Sequence, residues 1–368
     1  MWGLQSALLS PALALLLVSL YDLSAAGVGG VLAVYNASGF VASLVVPALA
    51  DRRRDYLGPM LVAGLLTLLL ALLLALSSSL GVAVVALVVL GGPAGVGVSL
   101  LYAHLRHSGA SRVDIVDTRA IFSFAWVAGP PLASLVISGF GARALLLVIA
   151  AVSVLNVATT AAMMSRRARA ARRGDDPPAP LDEGRAMRRS AVALVVSAFV
   201  VLQATNSAAV SVMTLFVTRR LDLDVVWAGV ALSVAAALEI PALLLIGRLG
   251  TRFSDIALIA SGCVAGAAYY SLMAAVHGPW LLVSGQALNA WFVAAVAGVG
   301  LSLFQRVIPR PGVASGLYAN TRRLGAIGSG PVLALGSATS LGYSFVFVAC
   351  AALTALALLV LGSAAALD

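Results

Sequence analysis

Long apolar runs decide what this chain can become. Twelve stretches of mainly apolar residues follow one another, near 2–20, 27–50, 57–77, 80–103, 118–140, 142–164, 190–216, 225–249, 256–276, 279–304, 313–336 and 341–366. A helix of about 20 such residues crosses the hydrocarbon core of a bilayer. Inside that core only helices and closed barrels satisfy their own backbone groups, and runs of this length are helical. Composition agrees. The chain is 61% hydrophobic and 10% charged, with a mean hydropathy of +1.05; a soluble domain averages about 25% charged. The expected fold is an all-α membrane protein of twelve transmembrane helices. The tightest joint, between the third and fourth spans, is little more than Ser77-Ser-Ser-Leu-Gly81.

The charge of +9 is carried by 23 basic residues, all arginine. They lie in short runs between apolar segments, the layout of membrane loops and not of a nucleic-acid surface. The longest polar stretch, 165–189, joins arginine runs to Gly-Asp-Asp-Pro-Pro-Ala-Pro and reads as a linker. It divides residues 1–164, an N-terminal six-helix half, from 190–368, a C-terminal one. Alternate loops hold 20 arginines on one side against Arg143, Arg219 and Arg220 on the other. The positive-inside rule makes the rich side cytoplasmic. The expectation is a multi-pass inner-membrane protein with linker and both termini in the cytoplasm. The first run has neither the basic flank nor the small-residue site of a cleavable signal. It begins almost at Met1, yet about 20 residues at 1.5 Å each still cover ~30 Å.

The two halves echo one another. Ala94-Gly-Val-Gly-Val-Ser-Leu100 returns as Ala297-Gly-Val-Gly-Leu-Ser-Leu303, an offset of 203. Pro47-Ala-Leu-Ala-Asp-Arg-Arg-Arg-Asp55 has a weaker echo in Gly247-Arg-Leu-Gly-Thr-Arg-Phe-Ser-Asp255, an offset of 200. Thr118-Arg119 and Gly129-Pro130 are matched by Thr321-Arg322 and Gly330-Pro331. Similar echoes in one order imply two pseudo-symmetric six-helix halves. In transporters built this way the solute site lies near the membrane midplane, between the repeats.

Polar residues inside the spans are the candidates for such a site. Glu239 is the one acid deep in a run, in Ala237-Leu-Glu-Ile-Pro-Ala242, with no arginine within a turn or two along the chain. A carboxylate at that depth costs several kcal/mol unless it is protonated, paired or hydrated. Pro241 beside it frees a backbone carbonyl. Nine residues separate Glu239 from Arg248, or ~13 Å of helix. Gln286 and Asn289 share a helix face, with Trp291 and Phe292 beyond. Amides bond sugar hydroxyls and rings stack on sugar C–H faces, although amides equally tie helices together. Gln5, Asn36, Arg119, Gln203, Asn206 and Asn320 complete the set, and Asn156 reads as structural. Binding is assigned to Asn36, Asn206, Glu239, Gln286, Asn289, Asn320 and Trp126. Burial favours the neutral form of an acid, so Glu239 is also the candidate proton carrier. His104, His107 and His277 lie at helix ends or loops with no ligand-like spacing. Cys263 and Cys350 lie within spans, so no metal, cofactor or disulfide framework is expected. The paired acids of an intramembrane enzyme are missing, as is any phosphate-binding loop.

Some of these stretches resemble known ones. Asp51-Arg52 and the basic residues after it are similar to the loop signature of the major facilitator superfamily, with Pro47 in place of its leading glycine and Arg54-Asp55 in place of its late glycine and arginine. That resemblance assigns Asp51 and Arg52 to the gate; the residues alone are equally a topology anchor. Gly129-Pro130-Pro131 looks like the fifth-helix motif of exporters in that superfamily, without its full glycine set. Arg119-Ala-x-x-Ser-x-Ala-Trp-Val-x-Gly-Pro-Pro-Leu-Ala133, Leu238-Glu-Ile-Pro-Ala242, Gln286-x-x-Asn289-Ala and Phe304-Gln305…Pro309…Gly312 resemble the sugar efflux transporter family. The resemblance implies the major facilitator fold, with Arg119 among the gating residues. It also implies a monomer that exports small polar solutes, sugars or glycosides, against protons, with lipid as its only other partner. A multidrug exporter of the same superfamily is the alternative.

Overall fold

A computed structural model describes residues 1–173, 188–339 and 341–366; all are helix or short joints. The helices are α1 (Trp2–Tyr21), α2 (Ala25–Arg53), α3 (Leu57–Leu76), α4 (Leu80–His107), α5 (Arg112–Phe140) and α6 (Ala142–Arg173). They continue as α7 (Arg189–Arg220), α8 (Val226–Leu249), α9 (Asp255–Ala274), α10 (Pro279–Val307), α11 (Pro311–Ala338) and α12 (Tyr343–Ala366). Among the described residues, 11 helices are long and apolar enough to cross a membrane. The helix outside that class is α11, which carries Arg322 and Arg323. The central part of the expected linker, 174–187, lies outside the described residues.

Helix ends depart from apolar-run ends for a physical reason. The sixth span was expected to stop near 164, but α6 runs to Arg173. Residues 165–173 are alanine, arginine and one serine, mostly strong helix formers. The bilayer sets where hydrophobicity stops, not where hydrogen bonding does. The same holds at α2, where Asp51, Arg52 and Arg53 form the last turn and Arg54 closes it at φ 50°. Side-chain oxygens of Ser24 and Ser254 accept the backbone N–H of Gly27 and Ala257 and begin α2 and α9.

By internal contacts the chain forms two units. One comprises the described residues of Met1–Ala110, Ile121–Asp182 and Arg310–Leu317. The other comprises those of Ser111–Ala120, Glu183–Pro309 and Tyr318–Asp368. The first turns of α5 and α11 are thus grouped apart from the rest of their helices.

In the first unit α1, α3, α4 and α6 share a core of Leu13, Leu16, Leu70, Leu74, Leu87, Leu145 and Ile149, each at most 2% exposed. A polar knot sits within it. Gln5 Nε2 donates to Thr67 Oγ1 at 2.7 Å, and the Gln5 carbonyl oxygen accepts from the Asn156 amide and the Ser153 hydroxyl. All four side chains are buried. Gln5 is therefore a tie between α1, α3 and α6, and Asn156 is structural as the sequence suggested.

The second unit pairs its helices the same way, α9 and α7 against α12. Phe216 and Phe347 meet edge to face at 4.7 Å, and Cys350 Sγ lies 3.6 Å from the Thr205 carbonyl oxygen. Both units contain a π-helical turn in the helix that carries the first echo, Leu87–Gly91 in α4 and Ala295–Val299 in α10. Such a turn leaves carbonyls without their usual helical partner. A hydroxyl from another helix takes them each time. Ser38 Oγ donates to the Val88 oxygen at 2.6 Å, and Tyr318 donates to the Val296 and Ala297 oxygens at 3.2 Å.

Candidate functional site

Three helix faces converge in the second unit. Val116 on α5 packs against Gly247 of α8, where an added Cβ would lie 3.0 Å from its Cγ1. Leu243 of α8 packs on Gly298 of α10, with 2.8 Å left for a Cβ. Tyr318 of α11 bonds the carbonyls just before Gly298. Side chains three or four positions apart share a helix face. One turn from Val116 is Arg119, one turn from Leu243 is Glu239, and one turn from Tyr318 is Arg322. The three steps run the same way, away from the arginine-bearing helix ends. The geometry therefore sets two arginines and one glutamate at one level. Their charges are felt together: Tyr318 lies in the field of Arg119, Arg322 and Glu239, and Arg322 in that of Arg119 and Glu239.

This corrects the expected surroundings of Glu239. Along its own helix it has only apolar neighbours, but across helices it shares one electrostatic neighbourhood with Arg322, which also lies in the field of Arg119. Arg119 and Arg322 are the two members of the Thr-Arg echo, so the repeat held the signal for Arg322, which the sequence reading did not single out. Glu239 and Arg119 are half-buried and Arg322 is exposed. Ionised groups at this depth belong to a cavity or a partner, because hydrocarbon does not tolerate them.

The remaining binding candidates fall into separate places. Gln286 is fully buried, donates to the Leu282 oxygen at 3.0 Å and accepts from the Asn289 amide at 3.2 Å. Trp291 Nε1 donates to Ser261 Oγ at 3.2 Å. These three groups have protein partners of their own. Asn320, also fully buried, accepts from Arg323 at 2.8 Å. Asn206 is half-buried on α7. Asn36 and Trp126 belong to the first unit. Asn36 is exposed, with its amide bonded to its own Leu32 oxygen at 2.8 Å, and Trp126 is half-buried.

The gating candidates are resolved in detail at the arginine-bearing end of the first unit. Asp51 Oδ1 accepts the Gly312 N–H at 2.7 Å and Oδ2 accepts the Val313 N–H at 2.8 Å. A carboxylate thus sits on the positive end of α11 and satisfies two of its unpaired donors. Gly312 is required there, since a Cβ would lie 2.5 Å from the Pro47 oxygen and 2.7 Å from Asp51 Oδ1. Tyr56, which no sequence pattern marked, donates to Asp51 Oδ1 at 2.6 Å and packs its ring 5.3 Å from His107. Burial first, then the bond to Asp51, pushes its phenol well above the ordinary range. A group whose folded value is raised stabilises the fold below its unfolded value, about 10, and loses that contribution as pH rises further. The Tyr56–Asp51 bond thus persists throughout neutral pH. Arg52 is exposed.

Comparison with known proteins matches this arrangement to others. A family model described as Major Facilitator Superfamily matches residues 1–329. Sugar efflux transporter A of Dickeya chrysanthemi is 34% identical over 213 residues, 58% of this chain and 53% of its own. A putative sugar efflux transporter of Deinococcus radiodurans is 31% identical over 239 residues, 64% of this chain and 61% of its own. The chain thus spans little more than half the length of these curated relatives. Among solved structures, the Escherichia coli fucose:proton symporter covers 99% of this chain and 95% of its own, at TM-score 0.75 and 14% identity. A bacterial homologue of the iron transporter ferroportin covers 99% and 96%, at TM-score 0.78 and 12% identity. These neighbours share the fold. With a family match over residues 1–329 and, among the described residues, 11 helices long and apolar enough to cross a membrane, the chain belongs to the Major Facilitator Superfamily.

Proposed function

We propose that this protein exports sugars or glycosides across the bacterial inner membrane by proton antiport. Its two six-helix halves, twelve spans with α11 included, alternate access to one site. Both termini and the arginine-bearing helix ends face the cytoplasm. The protein acts as a monomer, with lipid around it. The observation that carries the reading is Glu239 at one level with Arg119 and Arg322, and the similarity to sugar efflux transporters supports the solute class.

An ionised Glu239 accepts strong, charge-assisted hydrogen bonds from sugar hydroxyls. A protonated Glu239 loses that capacity. Proton and sugar therefore compete for one carboxyl group, which is the condition for antiport. Arg119 and Arg322 hold the carboxylate in place between solutes. Asn36, Asn206, Asn320 and Trp126 supply further contacts, while Gln286 and Asn289 contribute after exchanging their present bonds. Asp51 keeps α11 held until that hold is released, and Arg52 stands beside it.

Proteoliposomes loaded with labelled sugars, with and without a pH gradient, test this. The expected result is gradient-driven sugar flux that Glu239→Gln abolishes. Flux unchanged in Glu239→Gln ends the proton-carrier role. Movement of lipophilic cations with no movement of sugar transfers the protein to the multidrug exporters.

A further inference from the structure

Tyr318 touches both parts of the second unit that must change together if solute binding is to move a helix. Its hydroxyl donates to the Val296 and Ala297 oxygens, inside the π-helical turn of α10. Its ring meets Phe199 at 6.2 Å and Phe304 at 5.4 Å, and those two meet each other at 5.1 Å. Gly300 follows the turn with no room for a side chain, since a Cβ would lie 2.4 Å from Phe199 and 3.0 Å from Tyr318. The π-helical turn of α10 is thus clasped by three rings and pinned by one hydroxyl. One turn along α11 from that hydroxyl stands Arg322, with Arg119 and Glu239 in the same field.

We propose that Tyr318 is a positioning residue that couples the occupancy of the Glu239–Arg119–Arg322 site to the π-helical turn of α10. This rests on the transport reading above. A phenol oxygen accepts while it donates. When a proton or solute engages Glu239, an arginine relieved of it finds an acceptor in Tyr318. Drawing on that oxygen changes its hold on the carbonyls of the turn. A π-helical turn bends at low cost because its ladder is already broken, so loss of this pin registers there first. The rings keep the helix packed while its angle changes.

Tyr318→Phe isolates the hydroxyl and keeps the ring cluster. In the full-length protein, sugar affinity is expected to stay within about twofold while turnover falls about tenfold or more. Equal losses of affinity and turnover overturn the proposal, as does turnover within about twofold of the parent. Backbone amide exchange across 295–301 supplies a readout independent of any solute. Glu239→Gln is expected to alter exchange there in the parent and to leave it unaltered in a Tyr318→Phe background. The same response in both backgrounds overturns the coupling even if sugar transport is confirmed. A coupled response in a protein that moves no sugar would sustain it while ending the sugar reading. Phe304→Leu, which loosens the ring cluster and spares the hydroxyl, is expected to lower the melting temperature yet preserve the exchange response to Glu239→Gln.

Discussion

The helices α5 and α11 occupy matching places in the repeat, yet they begin in opposite ways. The start of α5 is closed by its own residues. Ser111 Oγ accepts the Asp114 N–H at 3.2 Å, and Asp114 Oδ2 accepts the Ser111 N–H at 2.8 Å. This is a reciprocal cap within one turn. The start of α11 has Pro311 and Gly312 in that region and no acid of its own, and its donors are taken by Asp51, 261 and 262 positions away in sequence. A self-closed start keeps its cap wherever the helix goes. A start closed from elsewhere loses its cap when it moves. The repeat is therefore symmetric in helices and asymmetric in how they are held. The second unit has Thr251 where the first has Asp51, so its corresponding turn offers no carboxylate.

That contrast can be broken at its strong point. Asp51→Ala strips two donors of α11 of a charged acceptor, worth roughly 2–4 kcal/mol. Thermal denaturation of the detergent-solubilised protein should show that loss, and flux in proteoliposomes should fall about tenfold or more, a ΔΔG of about 1.4 kcal/mol per decade. If Asp51→Ala costs no more than Asp114→Ala, the two starts are equivalent and the contrast fails. Asp114→Ala should itself lower the melting temperature less than Asp51→Ala does, because its carboxylate is exposed, with flux within about twofold of the parent. Tyr56→Phe sharpens the picture by leaving Asp51 on α11 while removing its outer donor. A loss of about 0.5–1.5 kcal/mol is expected, measured as a smaller shift of the same denaturation midpoint. Thr251→Asp, which supplies the second unit with the missing acid, should change stability by less than about 0.5 kcal/mol, as surface substitutions do. A large gain there would mean that the capping difference is an accident of sequence.

Much of this was legible beforehand, though unevenly. Helix positions along the chain follow from run length, because the bilayer imposes one dimension on every span. The Thr118-Arg119 and Thr321-Arg322 echo was visible, but its meaning was not. Nothing along α8 indicates that Arg119 and Arg322, on helices more than 80 residues away in either direction, act on the same neighbourhood as Glu239. Periodicity reports which face a residue occupies and is silent about what opposes it. The amides show the same limit. Gln286 and Asn289 were placed correctly on one face, and only coordinates reveal that they bond each other and the Leu282 oxygen. Asp51 was marked by its neighbours, whereas Tyr56, an ordinary tyrosine after an arginine run, carried no pattern at all.

The knot at Gln5 bears on how the chain is made. Helices enter the membrane in the order of synthesis, and the Gln5 amide reaches hydrocarbon before its partners. Its partner on α3 lies 62 residues later and those on α6 lie 148 and 151 residues later. Until α6 arrives, the Gln5 carbonyl oxygen lacks the Ser153 and Asn156 donors that occupy it in the folded protein. Delivery of α6 is thus the event that completes the knot and ties α1 to residues made 148 and 151 positions later.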